Sequence, residues 1–420
     1  MMTSVQDQMS RLDNGFTVVT DSVPHVGTVT AGVWLRAGSR DEAPDRNGIS
    51  HFLEHLAFKG TSSKDAFAIV AEIENRGGSI DAYTDFETTA YYVQTGARHL
   101  DTAVALLAEV LTDSVFPEQE IEREIGVVLQ EIDQYIDDPG AVLGDLLRAA
   151  IYPAQALGRP ILGTPALVSG FTRPVLRDHV AQHYVPERMA LVVSGCAAHA
   201  EVVALADRLF GRMAPASAPV PEPSRYVGGD SVQTKDIEQA HFALAFEGVP
   251  MGHPDLPALR HIANLLGGGM TSRLFQEIRE KRGLAYDVHA DLEIFADGGF
   301  IVFEAATEPG QCDDMASLLV REVERAATAG FTAEELARSK EQLRFAIALA
   351  GESTSSRAQR LARDALFRGA VRPIDTIEAE FDAVSLDSLN RVAAAVLSGR
   401  ASRARVGPTQ RKRRVRAVKA

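Results

Sequence analysis

Hydrophobic and polar residues follow the same order in both halves of the chain. Each half begins with an apolar run of strand length, continues with a helical stretch, reaches a pair of strands and ends in a long run of helices. These patterns cover residues 15–20, 28–38, 47–75, 78–96 and 98–136 in the first half, and 241–250, 255–282, 285–307 and 310–398 in the second. The pattern predicts an α+β fold of two tandem duplicated α/β domains, each with a mixed sheet and packed helices.

A stretch rich in proline, alanine and serine separates the two halves. Residues 211–229 lack apolar periodicity, which is typical of a linker. We therefore expect an N-terminal domain over residues 1–210, a homologous C-terminal domain over residues 230–400, and a cleft between them where ligands bind. Residues 401–420 hold eight Lys or Arg and no acid, which predicts a disordered basic tail.

The composition is that of a folded, water-soluble protein, with 45% hydrophobic and 24% charged residues. The first twenty residues lack the features of a secretory signal, and no apolar run is long enough to span a membrane, so we expect a cytoplasmic protein. Without the tail, the body carries 35 basic and 57 acidic residues, which disfavours nucleic acid and favours basic peptides. Cys196 and Cys312 are too few for a disulfide framework and form no C-x-x-C motif.

Three residues in the segment GISHFLEHLAFKGT have the spacing of a metal site. His51 and His55 share one helix face, so both imidazoles can reach one cation while Glu54 lies beside them. This H-x-x-E-H string is the inverzincin motif, in which Glu54 would take a proton from the metal-bound water. A chance arrangement on a solvated helix face is the competing interpretation. His179 and His183 have the same spacing without the glutamate, and we expect them to be structural.

A catalytic zinc ion normally has three protein ligands and one water, so a third ligand must come from elsewhere. The helical stretch IEREIGVVLQEIDQYIDDP holds Glu124 and Glu131, which project from one helix face two turns apart. Either glutamate could bind the metal while the other accepts a hydrogen bond from an imidazole N–H. Imidazole and carboxylate ligands would also accept manganese or cobalt.

The segment HFLEHLAFKGT resembles the signature of the pitrilysin or insulinase family of metallopeptidases. The resemblance is to the branch that contains the catalytic subunit of mitochondrial processing peptidase and its bacterial relatives. Glu131 follows His55 by 76 residues, similar to the family's spacing to its third ligand, and Glu124 stands where the family has a supporting glutamate. The resemblance covers nearly the whole chain and implies a clam-shell of two domains. It also implies one zinc ion per chain, held by His51, His55 and Glu131, with Glu54 as general base.

Three further segments resemble the family in the same order along the chain. GGSIDAYTDFETTAYY resembles the edge strand on which such enzymes bind the substrate backbone, which implies contacts at Asp81 and Ala82. Many relatives have Asn at the position of Asp81. LGRPILGT, at residues 157–164, is similar to a family segment late in the first domain. LLGGGMTSRLFQEIREKRGLAYDV resembles the second-domain segment whose Arg279 and Tyr286 complete the active site, with Tyr286 donating to the developing oxyanion.

The resemblance implies an endopeptidase that cleaves extended or unfolded peptides inside a closed chamber. The chain is roughly half as long as the fused family members, and it carries both the zinc motif and the Arg–Tyr pair. We therefore expect a homodimer, with a heterodimer with a related subunit as the second arrangement. A structural subunit, like the core proteins of the respiratory cytochrome bc complex, is the alternative function. The complete H-x-x-E-H set and the third glutamate favour the enzyme.

Overall fold

Runs of strands and runs of helices follow one another along residues 7–408, the part of the chain that the computed structural model describes. The strands are β1 (Asp7–Arg11), β2 (Thr17–Ser22), β3 (Thr28–Leu35), β4 (Ser79–Thr84), β5 (Thr89–Gly96), β6 (Met189–Gly195), β7 (Asp230–Thr234), β8 (Ala240–Glu247), β9 (Val288–Ile294), β10 (Gly299–Thr307) and β11 (Ala401–Gly407). The α-helices are α1 (Ile49–Leu56), α2 (Ala66–Glu74), α3 (Leu100–Asp113), α4 (Glu118–Asp137), α5 (Pro139–Ile151), α6 (Pro165–Val168), α7 (Arg173–His183), α8 (His199–Phe210), α9 (Leu256–Gly267), α10 (Cys312–Ala329), α11 (Ala333–Gly351), α12 (Thr354–Arg368), α13 (Ile374–Asp382) and α14 (Leu386–Leu397). None of the helices within this range is long and apolar enough to cross a membrane.

The chain packs into two compact units that are each discontinuous in sequence. Among the described residues, the first unit contains residues 7–133, 159–222 and 345–378, and the second contains residues 134–158, 223–344 and 379–408. Each unit therefore includes one segment from the other half of the chain. The predicted linker at 211–229 contains one junction, between residues 222 and 223, and residues 214–229 form no helix or strand.

The first unit is built on a six-stranded sheet in the order β1-β2-β6-β3-β5-β4. All neighbouring strands are antiparallel except β2 and β6, so the sheet is mixed. One face packs against α3 and α8, and the other packs against α12. Because helices cover both faces, β3 and β6 are buried along almost their whole length. Strand β4 lies at the edge, where one side of its backbone is open for further pairing.

The second unit repeats this arrangement with a five-stranded sheet in the order β7-β11-β8-β10-β9. Strands β7 and β11 are parallel and the other pairs are antiparallel. Helices α9, α10 and α14 bury their apolar faces in one core with β8 and β10. The predicted α+β fold, with a mixed sheet and packed helices in each of two units, is confirmed.

The beginning of the predicted basic tail is folded, which corrects that prediction. Residues 401–407 form β11, which lies between β7 and β8. Ser402, Ala404 and Val406 are buried, while Arg403 and Arg405 between them reach solvent. The high content of arginine concealed this alternation of buried and exposed positions, which is typical of a strand. Residues 409–420 of the predicted tail lie outside the described residues.

Candidate metal centre

Helix α1 carries the H-x-x-E-H motif and separates its polar residues from its apolar ones. Ile49, Phe52 and Leu56 are buried in a cluster of apolar side chains from α4, α6 and α7. The helical repeat places His51 and His55 together on another face, with ring centroids 4.7 Å apart. The apolar packing therefore fixes the direction in which both imidazoles point.

Helix α4 brings two glutamates to these imidazoles. Its buried stripe of Ile121, Val128 and Ile132 packs in the same cluster as α1, so the two helices are held against each other. Glu124 and Glu131 are two turns apart and both contact His55. The pattern of α4 thus explains how residues distant in sequence meet at one site.

His51, His55 and Glu131 form the one group of three metal-capable side chains found within residues 7–408. Nε2 of His51 lies 3.5 Å from Oε1 of Glu131, and Nε2 of His55 lies 3.2 Å from Oε2. For a tetrahedral zinc ion with ligands at about 2.0–2.2 Å, neighbouring ligand atoms are separated by about 3.3–3.6 Å. With one ligand atom from each residue, the three atoms lie within 4.8 Å of one another, and two imidazoles with one carboxylate suit zinc, with a fourth position left for water.

Glu124 contacts the opposite side of the His55 ring. Its Oε2 lies 3.2 Å from Nδ1 of His55, and its Oε1 accepts from Nζ of Lys59 at 2.7 Å. Glu124 is buried, so neither contact competes strongly with water. A carboxylate at Nδ1 fixes the tautomer in which Nε2 is free to bind a cation. Of the two glutamates left open by the sequence, Glu131 groups with the Nε2 atoms of both histidines, and Glu124 contacts Nδ1 of His55.

The charges of the site favour an ionised Glu131 and a protonated His55. Hydrogen bonds with His51 and His55 hold the pKa of Glu131 well below its usual range. Burial alone would lower the pKa of His55, but its hydrogen bonds with Glu131 and Glu124 outweigh burial and raise it. Nδ1 of His51 is buried and has no hydrogen-bond partner within the described residues. The carboxylate of Glu131 is therefore ionised at neutral pH, as a metal ligand must be.

Glu54 lies between the two histidines in the sequence of α1, and its side chain is half-buried. Within residues 7–408, no hydrogen bond or ion pair occupies its carboxylate. The hydroxyls of Tyr91 and Tyr184 lie 2.7 Å apart, and both are close enough to Glu54 to feel its charge. Burial raises the pKa of both tyrosines, and the negative charge of Glu54 adds to that effect. The tyrosines stay protonated, and the Glu54 carboxylate is available to another group.

A hydrogen bond connects the edge strand β4 to helix α1. Oγ1 of Thr84 donates to the carbonyl of Ser50 at 3.4 Å. Asp81 is exposed, and its carboxylate accepts from the Ala82 N–H at 2.8 Å and from the Tyr92 hydroxyl at 3.0 Å. Ala82 packs its side chain against the core of the first unit. The strand thus presents an open backbone edge beside α1.

Arg279 and Tyr286 lie in the second unit and contact each other. The Arg279 guanidinium lies 4.6 Å from the centre of the Tyr286 ring and 4.7 Å from that of Phe275. Arg279 belongs to a π-helical turn, Phe275–Glu280, a rare element that is frequent at functional sites. The Tyr286 side chain is 79% exposed. Cation–π contact therefore orients an aromatic ring that solvent can reach.

Glu42 caps the start of α1, a role that could not be predicted from the sequence. It is almost fully buried, and its carboxylate accepts hydrogen bonds from the backbone N–H groups of Gly48 and Ser50. Burial raises its pKa to about 7, although these hydrogen bonds act in the opposite direction. Gly48 begins α1 and has no side chain to cap it. This glycine in the sequence was the signal that another residue must supply the cap.

His179 and His183 pack against each other on α7, with ring centroids 4.4 Å apart. Both are buried, and burial lowers the pKa of His179 to about 3 and also lowers that of His183. Two neutral imidazoles stacked in the interior are consistent with the structural role expected for them.

An H-x-x-E-H helix facing a helix with a third carboxylate is the arrangement of the inverzincin class of metallopeptidases. Residues 17–165 match the family profile described as insulinase (peptidase family M16), and residues 170–343 match the one described as peptidase M16 inactive domain. The chain belongs to the insulinase family, peptidase family M16.

Relatives of similar length carry names from the same class. An uncharacterized zinc protease of Mycobacterium leprae, ML0855, is 38% identical over 94% of this chain and 91% of its own. The uncharacterized zinc protease YmxG of Bacillus subtilis is 36% identical over 90% of this chain and 93% of its own.

Two solved structures share the fold. The crystal structure of a protease from Helicobacter pylori matches with a TM-score of 0.92 and 24% identity, over 97% of this chain and all of the other. A peptidase M16 inactive domain from Pseudomonas fluorescens matches with a TM-score of 0.91 and 18% identity, over the same shares. These likenesses establish the fold.

Proposed function

We propose that this protein is a zinc-dependent endopeptidase that cleaves extended or unfolded peptides. The observation that carries the proposal is the close approach of His51, His55 and Glu131 from two helices, with an unoccupied Glu54 carboxylate on the same helix as the histidines. Membership of the M16 family and the names of the relatives support the same class of reaction.

The four residues have separate roles in the proposed reaction. His51, His55 and Glu131 would hold one zinc ion per chain, which supplies Lewis-acid chemistry toward the scissile carbonyl and a water molecule. Glu54 accepts the proton of the attacking water and donates it to the leaving amine. Glu124 holds the His55 ring in its ligand orientation through Nδ1.

The substrate would bind as an additional strand beside β4. Edge strands recognise extended peptides through backbone hydrogen bonds and leave side-chain pockets to set specificity. We propose a backbone contact at Ala82, whose N–H donates to the Asp81 side chain and would donate to a substrate carbonyl in its place. Extended and unfolded segments can supply such a strand, whereas folded proteins have already paired their backbone groups.

Arg279 and Tyr286 are proposed to act on the same substrate. The Tyr286 hydroxyl would donate to the oxyanion that develops on the scissile carbonyl, and Arg279 would orient the tyrosine or the substrate. The cation–π contact between the two residues and the exposure of Tyr286 support this role. The family resemblance of their segment is the second support.

We further propose a homodimer located in the cytoplasm, with peptides rather than nucleic acid as partners. The net charge of −14 supports a preference for basic peptides through long-range attraction. A heterodimer with a related subunit is the second arrangement. Comparison of acidic and basic peptides of matched length at low salt tests the preference, and equal cleavage rates would remove it.

The test of the proposed function uses wild type, Glu54→Gln and the control Glu122→Gln. Glu122 is an exposed glutamate on α4 and is not part of the candidate metal site. Its replacement by Gln therefore makes the same chemical change away from that site. Each protein is incubated with an extended arginine-containing peptide bearing a fluorophore and a quencher, and bound zinc is measured by mass spectrometry of the metal. We expect wild type and Glu122→Gln to cleave, and Glu54→Gln to bind zinc without cleaving.

Two results would contradict the proposal. If wild type binds no zinc, or if it binds zinc and Glu54→Gln cleaves as fast as wild type, the assigned chemistry is wrong. An inactive wild type would favour the alternative function, a structural subunit that shares this fold.

A further inference from the structure

The metal helix α1 begins without a side-chain cap of its own. Gly48 occupies the N-cap position with φ 96°, and a glycine offers no side chain to accept from the first turn. The first N–H groups of a helix have no partner inside the helix and must be satisfied from outside. His51 lies in this first turn, so the partner that satisfies it also affects a metal-binding residue.

Glu42 supplies the missing cap from the preceding loop. Its Oε2 accepts from the Gly48 N–H and its Oε1 accepts from the Ser50 N–H, each at 2.8 Å. Nδ2 of Asn47 donates to the same carboxylate at 2.9 Å. The Glu42 residue is only 3% exposed. Three donors and no solvent make the position of this carboxylate well determined.

The loop that carries Glu42 is attached to residues 159–163, a segment that the sequence analysis noted without assigning a role. A guanidinium nitrogen of Arg159 donates to the backbone carbonyl of Glu42 at 2.7 Å. Nδ2 of Asn47 also donates to the carbonyl of Pro160 at 3.0 Å. Asn47 therefore connects the cap of α1 to this second segment.

Two glycines allow the two segments to touch through their backbones. Gly48 and Gly163 both have left-handed φ, at 96° and 75°. A Cβ on Gly163 would lie 2.4 Å from the carbonyl oxygen of Asn47, closer than any real contact. Gly163 is thus required both for its backbone conformation and for the close approach.

We infer that Glu42, Asn47 and residues 159–163 form a brace that positions His51 for zinc. Glu42 is a positioning residue: it contacts the helix one residue before His51 and does not touch the ligand. The inference rests on the proposed metal site. Loss of the Glu42 carboxylate would leave two buried N–H groups without acceptors, and α1 would shift or fray at the turn that carries His51.

The test measures zinc affinity by competition with a chromophoric chelator, in wild type, Glu42→Gln and Gly163→Ala. The two substitutions act on different sides of the brace and share no chemistry. Supporting groups behind metal ligands typically change metal affinity by about 10- to 100-fold. We expect both variants to bind zinc at least tenfold more weakly than wild type.

Two control variants separate positioning from general loss of stability. Gly77 has the same φ of 75°, but a Cβ there would meet no atom within 4 Å, so Gly77→Ala adds backbone strain without a collision. Asp21 is a fully buried acid on β2, and three strands separate β2 from β4 in the sheet, so Asp21→Asn disturbs a buried carboxylate away from α1. We expect both controls to keep zinc affinity within threefold of wild type.

The outcomes distinguish this inference from the proposed function. If wild type binds no zinc, the proposed function fails and the inference fails with it. If wild type binds zinc and Glu42→Gln binds it equally well, or if Asp21→Asn loses as much affinity, the brace is overturned while the metal site stands. If Glu42→Gln does not fold, Asn47→Ala, which removes one donor and the link to Pro160, takes its place in the same comparison.

Discussion

Replacement of Glu124 by Gln would test how the metal site depends on its supporting carboxylate. Glu124 contacts Nδ1 of His55 at 3.2 Å and Nζ of Lys59 at 2.7 Å, from a buried position. Glutamine has one acceptor oxygen, so it can serve only one of these donors and must turn its NH2 group toward the other. The substitution keeps the size of the side chain and removes its charge.

The expected loss follows from these contacts. A hydrogen bond to a charged group contributes about 1.5–3 kcal/mol, and one such bond is lost or weakened. Carboxylates behind metal-binding histidines change metal affinity by about 10- to 100-fold when removed. At about 1.4 kcal/mol per tenfold, that range corresponds to about 1.4–2.8 kcal/mol, in agreement with the hydrogen-bond value.

The assay is zinc affinity by chelator competition, followed by kcat/KM of the zinc-loaded protein. Glu122→Gln, on an exposed face of the same helix, is the matched control. We expect Glu124→Gln to bind zinc about 10- to 100-fold more weakly and Glu122→Gln to resemble wild type. A Glu124→Gln protein whose zinc affinity stays within twofold of wild type would refute the argument that this carboxylate orients His55.

Three further predictions concern stability. Asp21→Asn breaks the ion pair between the buried Asp21 and the partly exposed Arg357 and should lower the free energy of unfolding by about 1.5–3 kcal/mol, measured in urea. His289 has its pKa raised to about 9, chiefly by a hydrogen bond with Glu304 against the opposing effect of burial. Its contribution to stability is therefore complete below about pH 6.5 and is lost as the pH rises toward 9, which Tm measured against pH should show. The zinc ion proposed at His51, His55 and Glu131 would join α1 to α4, so a chelator should lower the Tm of wild type but not that of His51→Ala.

Each of these predictions has a control. Arg357→Lys keeps the charge beside Asp21 and should lose less stability than Asp21→Asn, and an equal loss would contradict the ion-pair explanation. His289→Gln should flatten the dependence of Tm on pH between 6.5 and 9, whereas the exposed His25→Gln should not. If the chelator lowers the Tm of wild type and of His51→Ala equally, the stabilising metal is not bound at His51.

The local part of the candidate site could be predicted from spacing alone. His51, Glu54 and His55 lie within two turns of one helix, so their relation depends only on helical geometry. Which of Glu124 and Glu131 lies at the ligand position could not be derived from spacing, because both project from the same face of α4. That choice depends on how α4 is shifted along α1, which the packing of apolar residues decides.

Glu42 was missed for a related reason. It lies in an irregular loop, and nothing in a loop sequence states which carboxylate will reach the start of the next helix. Its role depends on contacts with residues 159–163, more than a hundred positions further along the chain. Two glycines with left-handed φ make this approach feasible, and their conformation is visible only in the folded chain.

The sequence by itself determined the α+β class, the duplicated order of strands and helices, and the helix that carries the H-x-x-E-H motif, because each depends on short-range periodicity. Tertiary structure decided which strands fill the centres of the sheets and which segments join which unit. Strands β6 and β11 return to their sheets from far along the chain, and residues 134–158 and 345–378 pack outside their own half. Such pairings depend on burying complementary apolar surface between distant segments, and hydrophobic periodicity within one segment does not specify its partner.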